Sequence, residues 1–336
     1  MRIRKILISI FFHYNMIKNK NIVITGAAGF IGSHLTETLL KRENFVILID
    51  NFNDYYSGKE KQLSDILSKY EQTRDYVLIK GDLVDESTLK QVEYEPDYIF
   101  HLAAQAGVRY SIEHASEVTY NNLVSTVNIF EYALKSSSIK RVINASSSSV
   151  YGNPVYTPVD ENHPKNPISP YAVSKLCGEI YANLYFKENN LPTTSLRFYT
   201  VYGPRGRPDM AIKKFFNLML QNKEILIYGD GTQKRDFTYI SDIVNGLILA
   251  SEKNGAIGEI FNLGGSNPVT VNELVDKMYN IVNTEKKIRN IEKQKGDVNI
   301  THSDISKAKK ILKFTPEVNI DVGLRNQYEW QKNYNK

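Results

Sequence analysis

A tyrosine and a lysine four positions apart, Tyr171 and Lys175, are the residues whose types and spacing point most directly to chemistry. A helix is predicted over residues 170–188, and on a helix residues i and i+4 lie on one face. A phenol with a pKa of about 10 is a poor base at neutral pH, and a neighbouring ammonium group favours its charged form. The pair is therefore typical of a proton-transfer site in which the lysine brings the pKa of the tyrosine toward neutrality.

Four consecutive serines, Ser146 to Ser149, follow a strand predicted over residues 141–145. A serine hydroxyl held near the substrate oxygen would complete a proton relay with the tyrosine. A Tyr-x-x-x-Lys pattern alone also occurs on solvated helix faces. The catalytic interpretation therefore depends on these serines and on a glycine-rich turn further upstream.

The elements that must position these residues alternate between strand and helix through the first half of the chain, which is typical of a parallel, doubly wound sheet. Beyond about residue 200, prolines and glycines predict a smaller C-terminal α/β lobe that is interleaved with the main sheet. Strands are predicted over residues 21–25, 45–49, 76–79, 98–101, 141–145 and 194–198, and helices over residues 30–41, 87–92, 118–134 and 170–188.

The turn after the first strand carries the pattern Gly26-x-x-Gly29-x-x-Gly32. Glycines allow a tight turn and let a pyrophosphate approach bare backbone at the start of a helix, although a loop packed closely against a helix would show the same pattern. Asp50 ends the second strand, where a carboxylate binds ribose hydroxyls and repels a 2′-phosphate, and the next residue is Asn51 rather than arginine. These features favour NAD over NADP.

Two further stretches fit the same cofactor. Asp82, after the third strand, is suited to an adenine contact. Residues 101–106, His-Leu-Ala-Ala-Gln-Ala, have small side chains where a cofactor would pass closely, although simple core packing explains the alanines equally well.

Composition excludes several other classes of site. The chain has 336 residues, of which 42% are hydrophobic and 24% charged, and this suits a folded protein with a large core. The net charge of +5 is spread without a basic block and favours a small anionic partner over nucleic acid. Cys177 is the single cysteine, so one chain cannot form a disulfide framework or a cysteine-based zinc site. The six histidines show no metal-ligand spacing, and we expect no metal.

Residues 1–20 are predicted to be an N-terminal extension. Arg2, Arg4 and Lys5 precede an apolar run over residues 6–12, which is too short to span a membrane and is followed by no small-residue cleavage site. Met16 is an alternative start. Since no other segment is long and apolar enough to cross a bilayer, we expect a cytoplasmic protein without membrane contacts.

Taken together, the motifs resemble the extended short-chain dehydrogenases/reductases of the NAD-dependent epimerase/dehydratase family, which modify nucleotide sugars. The resemblance runs from about Asn21 to about Lys332 and implies a Rossmann-type NAD-binding domain over residues 21–200 and a mainly nucleotide-sugar-binding lobe over residues 201–336. The matching elements are Gly26-x-x-Gly29-x-x-Gly32, Asp50, residues 101–104, residues 146–152, Tyr171-x-x-x-Lys175, residues 197–204, residues 229–231, residues 235–239, Asp242 and Gly296-Asp297.

By that resemblance Tyr171 is the base, Lys175 is its partner and a ligand of the nicotinamide ribose, and Ser147 is the hydroxyl donor. The residues implied to bind NAD are Gly26, Gly29, Phe30, Ile31, Gly32, Asp50, Asn51, Asp82, Leu83, Leu102, Ala103, Ala104, Asn122, Tyr171 and Lys175. Those implied to bind the substrate are Arg109, Ser147, Ser148, Ser149, Tyr171, Thr200, Arg207, Tyr228, Arg235 and Asp297, with Tyr228 on the uracil stretch and Arg235 and Asp297 at the phosphates and ribose.

Several positions separate the subfamilies. Ser148 and Ser149 stand where the 4,6-dehydratases have an Asp-Glu pair, so the catalysts of dehydration are missing. Residues 51–56, 104–111 and 203–210 resemble UDP-glucuronate 4-epimerases. Thr200 replaces an asparagine that is usual in UDP-glucose 4-epimerases, and Gln294 replaces an arginine that is frequent there. In this comparison Thr200 and Arg207 bind near C6 of the sugar, and an arginine fork can bond both oxygens of a carboxylate.

The resemblance therefore implies interconversion of UDP-glucuronate and UDP-galacturonate through a transient 4-keto intermediate, with tightly bound NAD. It also implies a homodimer formed by the helices over residues 118–134 and 170–188, and by analogy a role in polysaccharide biosynthesis. The alternatives are a 4-epimerase of UDP-glucose or UDP-N-acetylglucosamine, a UDP-glucuronate decarboxylase, and a non-catalytic NAD-sensing regulator. The regulator would be expected to lack Tyr171 or Lys175, and this chain keeps both.

Overall fold

Parallel strands make up the centre of the protein, whose computed structural model describes residues 17–292 and 298–334. The strands of this described part are β1 (Asn21–Thr25), β2 (Phe45–Asp50), β3 (Tyr76–Lys80), β4 (Tyr98–His101), β5 (Arg141–Ser147), β6 (Thr193–Phe198), β7 (Thr200–Tyr202), β8 (Ile225–Tyr228), β9 (Lys234–Arg235), β10 (Phe237–Tyr239), β11 (Ile260–Leu263), β12 (Val269–Thr270) and β13 (Ile288–Ile291). Seven of them form one sheet in the order β11-β6-β5-β4-β1-β2-β3, and every neighbouring pair is parallel.

Helices cover both faces of this sheet. They are α1 (Phe30–Leu40), α2 (Lys59–Leu67), α3 (Glu86–Lys90), α4 (Val108–Glu113), α5 (Ala115–Leu134), α6 (Pro170–Asn189), α7 (Ala211–Leu220), α8 (Ile240–Glu252), α9 (Val271–Val282), α10 (Ser306–Ile311) and α11 (Ile320–Tyr334). Because helices bury both faces, the central strands are almost continuously apolar, as in Ile22, Val23 and Ile24 of β1. The predicted doubly wound α/β fold is confirmed, and the ends of the predicted elements shift by up to three residues.

The seventh strand of the sheet comes from the C-terminal part of the chain. Residues Ile260–Leu263 of β11 pair in parallel with β6, so the chain returns to the main sheet after residue 200, as the predicted interleaving requires. Three small two-stranded sheets, β7 with β10, β8 with β13, and β9 with β12, together with α7, α9 and α11, make up most of the smaller lobe.

Helix α6 begins with a strong local signal. Ser169 precedes it and accepts a hydrogen bond from the Ala172 N–H at 3.2 Å, and Pro170 occupies the first turn, where its missing N–H costs nothing. The helix therefore starts one residue before Tyr171, and this placement puts Tyr171 in its first turn and Lys175 one turn later.

The predicted extension lies almost wholly outside the described residues, which begin at Ile17. The Ile17 N–H donates to the Glu252 carboxylate, and its carbonyl accepts a hydrogen bond from Asn44 Nδ2 at 3.1 Å. These two contacts hold the chain in place just before β1 begins at Asn21. Within the described ranges no helix combines the length and the apolar character that crossing a bilayer would take.

A buried ion pair joins α6 to the strands beside it. Arg197 of β6 donates from Nε and Nη2 to the two carboxylate oxygens of Glu179 of α6, at 2.8 and 2.6 Å. Both side chains are almost fully buried, with 1% and 2% of their surfaces exposed. Ser146 of β5 donates to the same carboxylate, and Arg197 Nη1 donates to the Tyr151 hydroxyl at 2.7 Å. Three elements therefore meet at one carboxylate.

This pair yields a stability prediction. Glu179→Gln leaves the Arg197 charge buried without its counter-ion, and we expect the free energy of unfolding to fall by about 3–5 kcal/mol. Replacing both residues, by Glu179→Gln with Arg197→Met, removes the unpaired charge and is expected to cost less than the sum of the two single changes. Urea unfolding of the three variants and the parent measures this, and strictly additive losses would contradict a coupled pair.

Candidate active site

A cleft runs along the carboxyl ends of the parallel strands, where ligands bind in open α/β sheets. Its lining residues lie at or after the carboxyl ends of β1 to β5 and on α6, an extent that suits an elongated ligand such as a dinucleotide. Of the residues predicted to bind NAD, those that line the cleft are Gly26, Gly29, Phe30, Ile31, Gly32, Asp50, Asn51, Asp82, Leu83, Leu102, Ala103, Ala104, Tyr171 and Lys175.

The glycine turn brings bare backbone to the floor of this cleft. Gly26 has a φ of +67°, and a Cβ there would lie 2.8 Å from the Ala103 nitrogen. A Cβ on Gly32 would lie 2.0 Å from the Gly26 carbonyl oxygen. Side chains are therefore excluded at both positions, and the first turn of α1 presents its backbone N–H groups and positive dipole end to the cleft.

Acidic and amide side chains line the far end of the cleft. The Asp50 carboxylate accepts hydrogen bonds from the Ala28 and Phe52 N–H groups at 2.9 and 2.8 Å, and burial raises the pKa of Asp50. Asn51 Nδ2 donates to Asp82 Oδ2 at 2.9 Å. An acidic group is therefore fixed at the end of β2, the position at which the sequence predicts a contact to the ribose hydroxyls of NAD.

Asn122 lies beneath the cleft rather than in its lining. It is 3% exposed, its Oδ1 accepts a hydrogen bond from the Gln105 N–H at 2.7 Å, and its Nδ2 donates to the Gln105 carbonyl and to Ser174 Oγ at 3.2 and 3.0 Å. It therefore fixes the backbone of Gln105, a lining residue that belongs to the 101–106 stretch predicted to lie along the cofactor.

Tyr171 and two of the serines form a hydrogen-bonded chain, and Lys175 lies one helical turn away from Tyr171. Lys175 Nζ donates to the Ala145 carbonyl at 2.9 Å, and burial lowers the pKa of Lys175 to about 8. The Ser149 hydroxyl donates to Ser147 Oγ at 3.0 Å. Ser147 in turn hydrogen-bonds the Tyr171 phenol and lowers the pKa of that phenol. The arrangement is a chain of hydroxyl groups that leads to one phenol oxygen.

The expected effect of Lys175 on Tyr171 differs from the observed one. Burial raises the pKa of Tyr171 above its usual value, and the groups that oppose this rise are Arg207 and Ser147. Lys175 Nζ lies 5.9 Å from the centre of the tyrosine ring and points to the Ala145 carbonyl. The prediction that the lysine brings the pKa of this phenol toward neutrality is wrong, because the ammonium group donates to the Ala145 carbonyl instead.

Arg207 is the predicted substrate residue, besides Tyr171, that lines the cleft. Its Nε and Nη2 donate to the two carboxylate oxygens of Asp209, each at 3.0 Å. Tyr55 also hydrogen-bonds Asp209. The guanidinium is close enough to Tyr171 to lower the pKa of its phenol, so a cation and the candidate base face the same part of the cleft.

The other predicted substrate residues that the structure describes lie outside the cleft lining. The Arg109 guanidinium stacks on the Tyr228 ring, 4.9 Å from its centre, so the fold brings these two together. Thr200 lines a smaller cavity, with Phe30 on the wall that this cavity shares with the cleft. Arg235 donates to the Lys234 carbonyl, Ser148 begins the short helix after β5, and Asp297 and Gln294 lie outside the described residues.

Sequence reasoning missed several lining residues on the segment after β2. Lys59 is 7% exposed and donates to Asn53 Oδ1 at 2.6 Å, and burial lowers the pKa of this lysine. A lysine in the first turn of a helix gives no sequence signal of this kind. The resemblance of residues 51–56 to uronate epimerases covers this segment, but of its residues only Asn51 was predicted to bind a ligand. Other lining residues that were not predicted are Tyr55, Tyr56, Gly81, Asn121, Ser125 and Phe198.

Across residues 17–292 and 298–334 no three histidine, cysteine, aspartate or glutamate side chains are grouped so that they could hold an ion.

Comparisons with known proteins agree with this geometry. The family model described as GDP-mannose 4,6 dehydratase matches residues 23–327. A UDP-glucuronate 4-epimerase from Thermodesulfobacterium geofontis is 36% identical over 313 residues, covering 92% of this chain and 95% of that protein. The structure of UDP-glucuronic acid 4-epimerase from Bacillus cereus, in complex with UDP-glucuronic acid and NAD, has a TM-score of 0.86 at 35% identity and covers 94% of this chain and 99% of that one.

A second structure has a different substrate in its name. UDP-N-acetylglucosamine 4-epimerase from Methanobrevibacter ruminantium, in complex with UDP-N-acetylmuramic acid, has a TM-score of 0.87 at 31% identity and covers 95% of this chain and 100% of that one. The chain therefore belongs to the NAD-dependent epimerase/dehydratase family, and NAD is its cofactor. The relatives compared here are 4-epimerases that carry the names of different UDP-sugars.

Burial of Lys175 has a measurable consequence for stability. Its pKa is lowered from 10.5 to about 8 in the folded protein, so between these values the unfolded chain binds more protons and stability rises with pH. We expect Lys175→Met to raise the free energy of unfolding at pH 7 by about 1–2 kcal/mol, after the lost hydrogen bond to Ala145 is counted. Urea unfolding from pH 7 to pH 10.5 should show this gain shrinking as the pH rises. A pH-independent difference would contradict the lowered pKa.

Proposed function

We propose that this enzyme interconverts UDP-glucuronate and UDP-galacturonate by inverting C4 of the sugar through a transient 4-keto intermediate. The observation that carries the proposal is the Arg207 guanidinium, which faces the cleft beside the Tyr171 phenol. A planar guanidinium can bond both oxygens of a carboxylate, and a uronate carries its carboxylate at C6, two carbons from the reacting C4. The similarity to UDP-glucuronate 4-epimerases supports the same substrate.

In the proposed mechanism, bound NAD supplies the hydride acceptor for C4 and the hydride donor for its reduction. Tyr171 Oη takes the proton of the sugar O4 as C4 is oxidised, the 4-keto sugar then turns its opposite face toward the cofactor, and Tyr171 returns the proton as C4 is reduced. Ser147 and Ser149 extend the hydrogen-bonded chain from that phenol, so they hold the proton near the reacting oxygen and orient the phenol. Lys175, held by the Ala145 carbonyl, positions the nicotinamide ribose. No net oxidation occurs, and the cofactor is expected to copurify.

Arg207 has a second task in this mechanism. A 4-keto uronate is a β-keto acid and tends to lose carbon dioxide, which requires the negative charge to leave the carboxylate. A guanidinium bonded to both oxygens stabilises the charge on the carboxylate and so opposes its loss. Thr200, which follows β6 and lines the neighbouring small cavity, is proposed to assist at C6.

A second candidate function is 4-epimerisation of a UDP-sugar without a C6 carboxylate. The similarity to a UDP-N-acetylglucosamine 4-epimerase favours it. The pairing of Arg207 with Asp209 also favours it, because Asp209 already neutralises the guanidinium. Both functions use Tyr171 and NAD. They differ only in whether Arg207 must bind a C6 carboxylate.

The deciding experiment is incubation of the purified protein with UDP-glucuronate, without added NAD, followed by chromatographic separation of the products. We expect UDP-galacturonate. Tyr171→Phe should lower the turnover number by a factor on the order of 10²–10⁴ with NAD still bound, because only proton transfer is lost. Tyr94→Phe, which alters a phenol that is 38% exposed and outside the cleft lining, is the matched control.

The other possible products separate the alternatives. UDP-xylose would indicate a decarboxylase, and conversion of UDP-glucose or UDP-N-acetylglucosamine alone would remove the carboxylate-binding role of Arg207. Full activity in Tyr171→Phe would remove the assigned base.

We further propose that two copies of the chain form a dimer through α5 and α6. Apolar side chains at helical spacing are exposed on α6, with Val173, Ile180 and Leu184 at 43%, 60% and 48% exposure, and Tyr120 of the adjacent α5 is 57% exposed. An exposed apolar stripe of this kind marks an interaction surface. The resemblance to dimeric epimerases, in which equivalent helices form a four-helix interface, supports a second copy as the partner.

We expect Ile180→Asp together with Leu184→Asp to give a monomer in sedimentation velocity at micromolar concentration, because buried unpaired carboxylates oppose association. Val322→Asp, on the exposed face of α11 with 46% exposure, is the matched control and should leave the dimer intact. A parent protein that sediments as a monomer would contradict the proposal.

A further inference from the structure

The carboxylate of Asp209 lies where an anion bound by Arg207 would lie. Its two oxygens accept hydrogen bonds from Arg207 Nε and Nη2 at 3.0 Å each, the side-on geometry with which arginine also binds carboxylates of ligands. Among the described residues, Asp209 is the only one whose carboxylate forms an ion pair with this guanidinium. The arginine is 23% exposed and Asp209 is 43% exposed, so solvent and ligands reach the pair.

The loop that carries this pair is anchored elsewhere. Arg205 Nη2 forms an ion pair with Glu37 of α1 at 2.8 Å, and Lys213 Nζ donates to the Gly206 carbonyl at 2.6 Å. Both contacts lie outside the Arg207–Asp209 pair. Separation of that pair therefore leaves the loop attached to α1 and to α7.

Two other side chains, Tyr55 and Arg109, interact with Asp209 and remain beside it when Arg207 binds a ligand. Tyr55 donates a hydrogen bond to it, and the positive charge of Arg109 lies near enough to lower the pKa of the Asp209 carboxyl group. A half-exposed aspartate with these neighbours keeps a favourable environment after Arg207 has left it. When a ligand carboxylate replaces Asp209 at Arg207, the Asp209 charge is therefore not left without a favourable partner. An unpartnered charge is the usual obstacle to separating an ion pair.

We propose that Asp209 is a specificity-determining residue that competes with the C6 carboxylate of the substrate for the side-on edge of Arg207. This inference rests on the proposed uronate substrate. While Arg207 is paired with Asp209, a sugar that enters the cleft meets a neutralised guanidinium. A uronate must displace Asp209 before its own carboxylate can accept the two hydrogen bonds from Nε and Nη2 of Arg207. Asp209 thus weakens uronate binding by the strength of its own ion pair and leaves the binding of neutral sugars unaffected.

The test compares ligand affinities of the NAD-bound protein by titration calorimetry. Tyr171→Phe serves as the background, so that ligands are not converted. Adding Asp209→Asn should lower the Kd of UDP-glucuronate by about twofold to fivefold, the factor that corresponds to a half-exposed ion pair. The Kd of UDP-glucose should not change. Asp209→Glu keeps a competing carboxylate and should bind UDP-glucuronate much as the background does.

A charge-matched control separates competition from general attraction of an anion. Asp276 of α9 forms an exposed ion pair with Lys286 at 2.8 Å. Asp276→Asn changes the net charge of the protein by the same amount as Asp209→Asn. We expect it to leave both dissociation constants unchanged.

The possible outcomes are distinct. An unchanged or raised Kd of UDP-glucuronate in Asp209→Asn would overturn the inference and would mark Asp209 as a residue that merely orients Arg207. Weaker binding of both ligands would make it a structural residue of the loop and would equally overturn the inference. The proposed function is tested separately by the turnover of UDP-glucuronate in the parent enzyme. Turnover with an unchanged Kd refutes the competition alone, and a lowered Kd without turnover refutes the proposed reaction alone.

Discussion

The ion pair between Glu179 and Arg197 determines how the rest of the site is placed. The proposed proton transfer needs the Tyr171 phenol and the Ser147 hydroxyl within hydrogen-bonding distance, yet these groups lie on a helix and at the end of a strand. A carboxylate buried between α6, β5 and β6 holds the three elements together through charged hydrogen bonds. Because a buried charge tolerates little displacement from its partner, the bond acts as a positional constraint more than as a source of net stability.

The cleft disfavours the charged forms of two of its own groups. Burial raises the pKa of Tyr171 and lowers that of Lys175, so each group resists its charged form. Asp209 similarly occupies the fork of Arg207. Functional groups in unfavourable environments reduce the stability of a fold, and here the apolar sheet with its two covered faces compensates for them.

The sequence predicted the elements that are governed by local patterns. Continuous apolar runs predicted the ends of six of the seven strands of the sheet to within two residues, because strands buried on both faces contain few polar residues. The glycine turn and the start of α6 at Pro170 followed from backbone constraints that any sequence with these residues would share. Helix α2, with its mixed composition and a left-handed glycine before it, gave no such signal.

What could not be predicted depends on contacts between distant segments. The burial of Lys59 and the pairing of Asn122 with Gln105 follow from tertiary packing, which no local pattern encodes. The pKa of Tyr171 was mispredicted for the same reason, since the orientation of Lys175 toward Ala145 is set by the neighbouring strand and not by the helix. Spacing along a helix shows which side chains share a face, but not where each of them points.

The position of β11 at one edge of the central sheet affects the order in which the protein can fold. The strand neighbouring it, β6, precedes it by some sixty residues, and during synthesis those residues emerge at about 5–20 per second. For several seconds the nascent chain therefore exposes the unpaired edge of β6, whose residues are buried in the finished protein. Until β11 arrives, this edge is available for pairing with other chains.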